Sequence, residues 1–320
     1  METKIVKLKF LAPVHFGRGR LSDSAYTCDV ATLFSALFIE ALREGCSDEL
    51  LSAARTGALS ISDAFPFVGD VLYLPKPMVP SASASVQRSK LDGTQDSRAR
   101  KASKKLEYIP ALRYRDYLSG DFDPVVELEH FDIGTSALQT RVNLLRTDTE
   151  NALPYHVGSF SFSPDAGLYF LAQTDGFELD ALLESLSYSG LGGKRSSGYG
   201  RFSYSIENCD SLSVISGDSG TNATESVASK HRSVLLSTAA PTSAELTDEL
   251  LSEARYKVVR RGGFVQSATY SETLQKRRDF YLFAAGSVFT RRFTGDVFDV
   301  GSAQGTHPVY RYARAMWMEV

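Results

Sequence analysis

The chain has 320 residues, of which 43% are apolar and 23% charged, with 19 Phe and 15 Tyr. That balance supports a sizeable core in about two domains and excludes a disordered chain, a collagen-like repeat and a coiled coil. The net charge of −3 does not by itself point to a polyanion partner.

Lys4 to Leu11 alternates, with Val6, Leu8 and Phe10 on one side and Lys7 and Lys9 on the other, which predicts a half-buried strand. A turn follows over His15-Phe16-Gly17-Arg18-Gly19-Arg20. Asp29 stands at an N-cap position, Val30, Leu33, Phe34, Leu37, Phe38, Ala41 and Leu42 make one apolar stripe, and Gly45 marks the end of that helix. Val71 to Leu74 predicts a short strand stopped by Pro75-Lys76-Pro77. From about 80 to 154 the pattern loosens over a stretch too long for an ordinary loop, so it reads as an insertion. Regular pattern returns at Tyr155 to Phe162 and Leu168 to Thr174, two predicted strands. A second helix shows Leu179, Leu182, Leu183 and Leu186 on one face, and a strand follows in which Phe202, Tyr204 and Ile206 alternate with polar residues.

Strand, helix, strands, helix, strand is the order of a ferredoxin-like split βαβ unit, here an α+β domain over 1–207 with a long insertion. Residues 208–230, rich in Ser, Gly, Thr and Asn, predict a linker. A second, less regular copy is expected over 231–320. There Val234 to Ser237 predicts a strand, and Thr242-Ser243-Ala244-Glu245 is a capping box before Leu246, Leu250 and Leu251. Arg255 to Val265, Asp279 to Phe289 and Val309 to Met318 are strand-like.

No stretch approaches about eighteen uninterrupted apolar residues, so no membrane partner is expected. Met1-Glu2-Thr3-Lys4 lacks the basic-then-apolar order of a signal peptide, and three widely spaced cysteines, Cys28, Cys46 and Cys209, fit a reducing cytoplasm.

Positive charge is unevenly placed. Val86 to Arg115 holds nine Lys and Arg against Asp92, Asp96 and Glu107, and Arg255 to Arg278 holds seven against Glu272 alone. Basic surface on an acidic body is what a polyanion partner requires, although each cluster alone is also compatible with ordinary solvated surface.

The most informative segment is Gly190-Leu191-Gly192-Gly193-Lys194-Arg195-Ser196-Ser197-Gly198-Tyr199-Gly200-Arg201. It is not a Walker loop, because Arg195 stands where Ser or Thr is needed, and it runs helix to strand rather than strand to helix. Nor is it a dinucleotide fingerprint, since the third glycine falls on Arg195. Lys194, Arg195 and Arg201, the Ser196 and Ser197 hydroxyls and exposed backbone N–H groups suit phosphodiester oxygens, and Tyr199 offers a stacking face. A helix cap with a tight turn is the bland alternative.

The histidines at 15, 130, 156, 231 and 307 show no metal-ligand spacing, so neither metal nor cofactor is expected. His15, at the end of the first strand, has the chemistry to act as general base on an RNA 2′-hydroxyl without a metal.

The glycine-rich segment through Phe202 resembles the loop of the RAMP superfamily of CRISPR proteins. His15-Phe16-Gly17, Asp63-Ala64-Phe65-Pro66-Phe67 and Leu74-Pro75-Lys76-Pro77 narrow the match, with Phe283-Ala284-Ala285-Gly286-Ser287-Val288-Phe289 and His307-Pro308-Val309 in the second half. Together they are similar to the subunit that caps the guide-RNA 5′ end in the type III-A (Csm) interference complex. The resemblance implies two ferredoxin-like domains, a thumb-like hairpin from the insertion, and binding of the repeat-derived 5′ tag of the CRISPR RNA, with target RNA close by. It implies contact with the large polymerase/cyclase-like subunit and with the repeated RAMP backbone subunit, in a role that is scaffold and RNA cap rather than enzyme.

On this reading RNA is held by His15, Phe16, Arg18, Arg20, Lys76, Gly192, Gly193, Lys194, Arg195, Ser196, Ser197, Gly198, Tyr199 and Arg201, with Arg260 and Arg261 as a second basic patch. Thr140, Arg141, Asn143, Leu144 and Arg146 form the thumb. Two other readings stay open. One is a metal-independent endoribonuclease that matures CRISPR precursor RNA, with His15 as base. The other is a scaffold whose basic patches serve acidic faces of neighbouring subunits.

Overall fold

The computed structural model describes residues 2–79, 93–145, 148–209, 232–267 and 269–320, with backbone alone for 93–96, 143–145 and 148–152. The opening alternation becomes β1 (Glu2–Phe10), with Val6 and Leu8 fully buried. A short ribbon, β2 (Phe16–Gly17) and β3 (Ser24–Ala25), carries the Arg18–Arg20 turn. The helix α1 (Val30–Glu44) starts where Asp29 accepts a hydrogen bond from the Thr32 amide and stops at Gly45, whose φ of +79° is left-handed. After it come α2 (Ser47–Thr56), β4 (Leu59–Ile61), β5 (Phe65–Val68) and β6 (Val71–Pro75).

The expected insertion contains α3 (Gly93–Lys105), β7 (Tyr108–Pro110), α4 (Tyr114–Ser119) and α5 (Pro124–His130). It then runs out as a long hairpin, β8 (Gly134–Leu145) and β9 (Asp148–Phe162). The strand anticipated at Tyr155 to Phe162 is thus the returning arm of the hairpin, which crosses the expected boundary at 154. The module closes with β10 (Ala166–Thr174), α6 (Asp180–Ser189) and β11 (Phe202–Cys209). Asn208 and Cys209, expected in the linker, still pair with β1; 210–230 and the thumb residue Arg146 lie outside the described residues.

The main sheet runs β11-β1-β10, with β4 and β5 both on the far edge of β10, then β6 and β7, all antiparallel. Leu33, Phe34 and Leu37 of α1 and Leu182, Leu183 and Leu186 of α6 pack on one face, against Val6, Leu8, Leu168 and Phe170. The other face, with Ile5, Tyr169 and Leu171, is also buried, under Ile109 and Tyr114 and under Val234, Met316 and Met318 of the C-terminal module. Burial on both faces explains why β10 is a continuous apolar run rather than an alternation. Each large apolar side chain so buried contributes about 1.5–3 kcal/mol.

The C-terminal module has β12 (Ser233–Leu235), α7 (Asp248–Leu251), β13 (Val258–Arg261), β14 (Phe280–Phe283), β15 (Val288–Phe289), β16 (Val297–Asp299), β17 (Tyr310–Tyr312) and β18 (Trp317–Glu319). These make three small antiparallel sheets, β15-β12-β18, β13-β14 and β16-β17. Only the glutamate half of the capping box forms, with Glu245 Oε2 accepting from the Thr242 amide at 2.8 Å and from its hydroxyl at 3.0 Å. It closes a turn, not a helix: Glu245 also accepts from the amides of Thr294 and Gly295, and α7 starts later, capped by Thr247. The two modules are stitched by Asp63, which accepts from the amides of Val30 and Thr238 at 2.8 and 2.7 Å and from the Thr238 hydroxyl at 2.6 Å. Among the described residues no helix is long and apolar enough to cross a membrane.

Candidate nucleic-acid interface

The glycine-rich loop leaves α6 at Gly190 and returns at β11. Its backbone is tied down: the amides of Leu191, Gly193 and Gly200 donate to Gly200, His15 and Pro13 carbonyls at 2.9, 2.8 and 2.9 Å, and Ser197 and Gly198 close a single 3₁₀ turn over Arg195–Ser197. The amides of Leu191, Gly193, Ser197, Gly198 and Gly200 are thus used by the protein itself. At Gly192, with φ +99°, a Cβ would lie 2.9 Å from the His15 carbonyl oxygen, so the loop and the β2 segment touch backbone to backbone. Lys194, with φ 60°, is the one non-glycine residue with positive φ among the described residues.

The expected cations divide into two groups. Lys194 is half-buried, its ammonium 5.3 Å from the Tyr155 ring centroid on β9. Arg201 is exposed, as are Arg18 and Arg20 on the adjoining turn and Ser196, Ser197 and Gly198 at the loop apex. Arg195 instead turns inward. Its Nη1 lies 3.9 Å from Glu40 Oε1 and makes no hydrogen bond. Glu40 on α1 is fully buried and accepts from Ser189 Oγ at 2.7 Å, Ser185 Oγ at 2.9 Å and Arg43. Burial alone would raise its pKa, but those hydrogen bonds and the Arg43 charge hold it below the usual carboxylate value. Glu40 was missed in the sequence. The available signal was its place beside Leu37 and Ala41 in an otherwise apolar stripe.

Two side chains expected at the surface are inside. Phe16 is 5% exposed and belongs to the core under β1, and Tyr199 is 5% exposed, so neither ring is open to a base. Tyr199 is held by the hairpin: its hydroxyl donates to Gln139 Oε1 at 2.8 Å and accepts from Arg141 Nη2 at 3.1 Å. His15 is 7% exposed; its Nδ1 lies 2.7 Å from the Gly158 carbonyl, which can only accept, so Nδ1 carries the proton. The ring is wedged against Gly193, where a Cβ would come within 2.8 Å of His15 Cδ2.

Of the remaining predicted residues, Lys76 donates to the Ser103 carbonyl near the end of α3, and burial lowers its pKa. Thr140 is exposed and its hydroxyl lies 3.1 Å from His156 Nδ1 across the hairpin; Asn143 and Leu144 lie on β8 toward its tip. Arg260 and Arg261 sit on β13, remote in sequence from the loop, with Arg261 bound to Asp29 and Arg260 exposed. The site therefore has an outer layer of Arg18, Arg20, Lys194, Ser196, Ser197 and Arg201. Beneath it is a supporting layer of His15, Phe16, Arg195 and Tyr199.

Comparison with known proteins decides the lineage. A protein of Mycobacterium tuberculosis described as CRISPR system Cms protein Csm4 is 36% identical over 308 residues, covering 95% of this chain and 93% of that protein. The chain belongs to the Csm4 family. A Csm4 of Streptococcus thermophilus is 33% identical over 306 residues, covering 96% of this chain and 95% of that relative. The CRISPR Csm4 C-terminal domain family matches residues 228–320. The fold resembles that in the crystal structure of a Csm3–Csm4 subcomplex of the type III-A CRISPR-Cas interference complex, at TM-score 0.61 and 16% identity, over 99% of this chain and 98% of that one. It also resembles that in a Csm1–Csm4 cassette in complex with cA4, at TM-score 0.56 and 18% identity, over 99% and 97% of the two chains.

Proposed function

We propose that this Csm4-family chain is the CRISPR-RNA-binding subunit of a type III-A effector complex and acts in antiviral defence in the cytoplasm. It grips the repeat-derived 5′ tag and joins the large polymerase/cyclase-like subunit to the first repeated backbone subunit. The observation that carries the reading is the outer layer of the loop. Lys194, Arg201, Arg18 and Arg20 stand with two serine hydroxyls on backbone that is hydrogen-bonded internally, so cations are presented at fixed positions rather than on a flexible bend. The solved relatives described as Csm3–Csm4 and Csm1–Csm4 assemblies support the choice of protein partners. We read the first module as ferredoxin-like, on the strand order β11-β1-β10-β5 with α1 and α6 on one face. The C-terminal module is read as a reduced second copy. The hairpin is read as the thumb, reaching toward guide and target RNA, with Thr140, Arg141, Asn143 and Leu144 along it.

The role is architectural rather than catalytic. A general base needs access to the 2′-hydroxyl; the Nδ1–H bond to the Gly158 carbonyl leaves His15 Nε2 as the basic nitrogen, and it is the 7% exposure of the residue that keeps it from a substrate. Purification of the tagged chain from its host, with sequencing of bound RNA, tests the proposal. Recovery of CRISPR RNA whose 5′ tag is protected supports it; recovery of the partner subunits without RNA contact to this chain overturns it.

A further inference from the structure

We propose that the ribbon of β13 and β14 is a second docking surface for the same single-stranded RNA, with Tyr281 as its stacking face and Arg260 as its phosphate contact. The inference rests on the RNA-binding reading above and extends it to the C-terminal module.

In the ribbon Arg260 stands opposite Tyr281 and Val258 opposite Phe283. Alternation gives it two faces. Leu282 on the inner face packs with Ala240 and Ala313, and Val259 and Phe280 support that cluster. Arg261, on the same face, reaches the Asp29 carboxylate at the head of α1 at 2.5 Å. The ribbon is therefore anchored from below, and at one end of its outer side by Phe283, which is buried among Leu235, Phe289 and Phe293. Yet that outer side carries Tyr281, 62% exposed, Val258, 49% exposed, and Arg260, whose side chain is 64% exposed. Tyr256 extends the strip, its ring packed edge-on against Phe283.

Charge decides what this face would bind. Arg255 to Arg278 contains seven cations and one acid, Glu272. Asp279 lies 3.7 Å from Arg260 Nε, an exposed pair too weak to neutralise the patch. Arginine and tyrosine also mark the centres of protein–protein interfaces, so the sign of the strip decides: Arg255, Lys257 and Arg260 are exposed on β13 and its approach, with Asp279 the acid beside Arg260. An aromatic face beside a guanidinium is the combination that holds one base and its phosphate in single strands with little regard to sequence.

The test uses the full chain and a fluorescein-labelled, unstructured 20-nucleotide RNA of mixed sequence. Tyr281→Ala is expected to weaken binding roughly 5- to 100-fold with the salt dependence unchanged, and Tyr281→Phe to bind as the parent does. Arg260→Gln is expected to flatten the log–log salt slope by about 0.7. Both side chains are exposed, so the melting temperature should hold; 4-thiouridine crosslinking of the unaltered chain to a peptide containing Tyr281 gives a readout independent of any variant. If both variants bind RNA like the parent while Lys194→Gln loses affinity, the ribbon proposal fails and the loop reading survives. If the parent chain binds no RNA, both fail. If the ribbon variants lose a partner subunit and keep RNA, the face is a protein interface and the proposal is overturned.

Discussion

Arg141 of the hairpin donates to the Tyr199 hydroxyl of the glycine-rich loop at 3.1 Å, and its guanidinium lies 5.3 Å from the Tyr199 ring centroid. Gln139, two residues back on the same strand, accepts a hydrogen bond from the Tyr199 hydroxyl at 2.8 Å. The hairpin is thus registered to the loop by one buried ring, so the segment reaching outward and the segment holding cations are set by the same contact. Tyr199→Phe removes both hydrogen bonds and keeps the ring. It should lower stability by about 1–2 kcal/mol and speed hydrogen exchange in β8 and β9. A cycle with Arg141→Met should return a coupling of about 0.5–1.5 kcal/mol; additive effects would mean that the two elements are not joined through this pair.

The inward turn of Arg195 changes what the salt dependence should report. With Arg195 and Lys194 both on RNA, removing them would flatten the slope by one to two units. With Arg195 committed to Glu40, Lys194→Gln should flatten it by about 0.7 and Arg195→Gln should leave it nearly unchanged. Fluorescence titrations at several salt concentrations separate the two cases. Glu40→Ala takes the acceptor from Ser185, Ser189 and Arg43 and the nearby carboxylate from Arg195, and should cost about 3–5 kcal/mol in chemical denaturation.

What was legible in the sequence followed from local rules. The alternation of Val6 and Leu8, the Asp29 cap, the Gly45 stop and the leucine face of α6 each depend on residues within one or two turns, and each stands in the structure as read. The glycine-rich segment was readable as a tight bend between helix and strand for the same reason. Side-chain direction in the site was not. Phe16, Arg195 and Tyr199 look like surface residues in their own segments, and partners far away in the chain, Glu40, Gln139 and the core under β1, draw them in. The capping box at Thr242 misled for a similar reason: Glu245 satisfies Thr242 as the local rule requires, but its remaining capacity goes to Thr294 and Gly295, which holds a turn in place of a helix.

Gly200 has φ +77°, and a Cβ there would come 2.2 Å from the Leu191 carbonyl oxygen. The obstacle is backbone, so it has no side chain that can move aside. Gly200→Ala should destabilise the loop by about 2 kcal/mol or more and weaken RNA binding beyond Lys194→Gln, because the whole cationic layer shifts rather than one charge. Thermal melts and RNA titration on the same preparation check this; Gly198→Ala, at φ +83° with open space around it, should be milder.

Asp63 makes the junction of the two modules sensitive to pH. Burial first, and the neighbouring Asp29 second, raise its pKa to about 7, against three hydrogen bonds from Thr238 and Val30 that favour the charged form. In the unfolded chain the carboxyl titrates near about 3.9. Between those values the folded chain holds a proton that the unfolded chain has lost, so stability from this group falls as pH rises from about 4 to about 7 and is level above that. Asn is nearly isosteric with the protonated acid: its carbonyl can still accept from the Val30 and Thr238 amides, and its amide can donate to the Thr238 hydroxyl. Asp63→Asn should therefore remove this downward slope and be more stable than the parent at pH 8, with little difference at pH 5. Denaturant melts across that range are the measurement, and a parent profile that rises through this window in parallel with the variant would mean that Asp63 is ionised in the folded chain throughout.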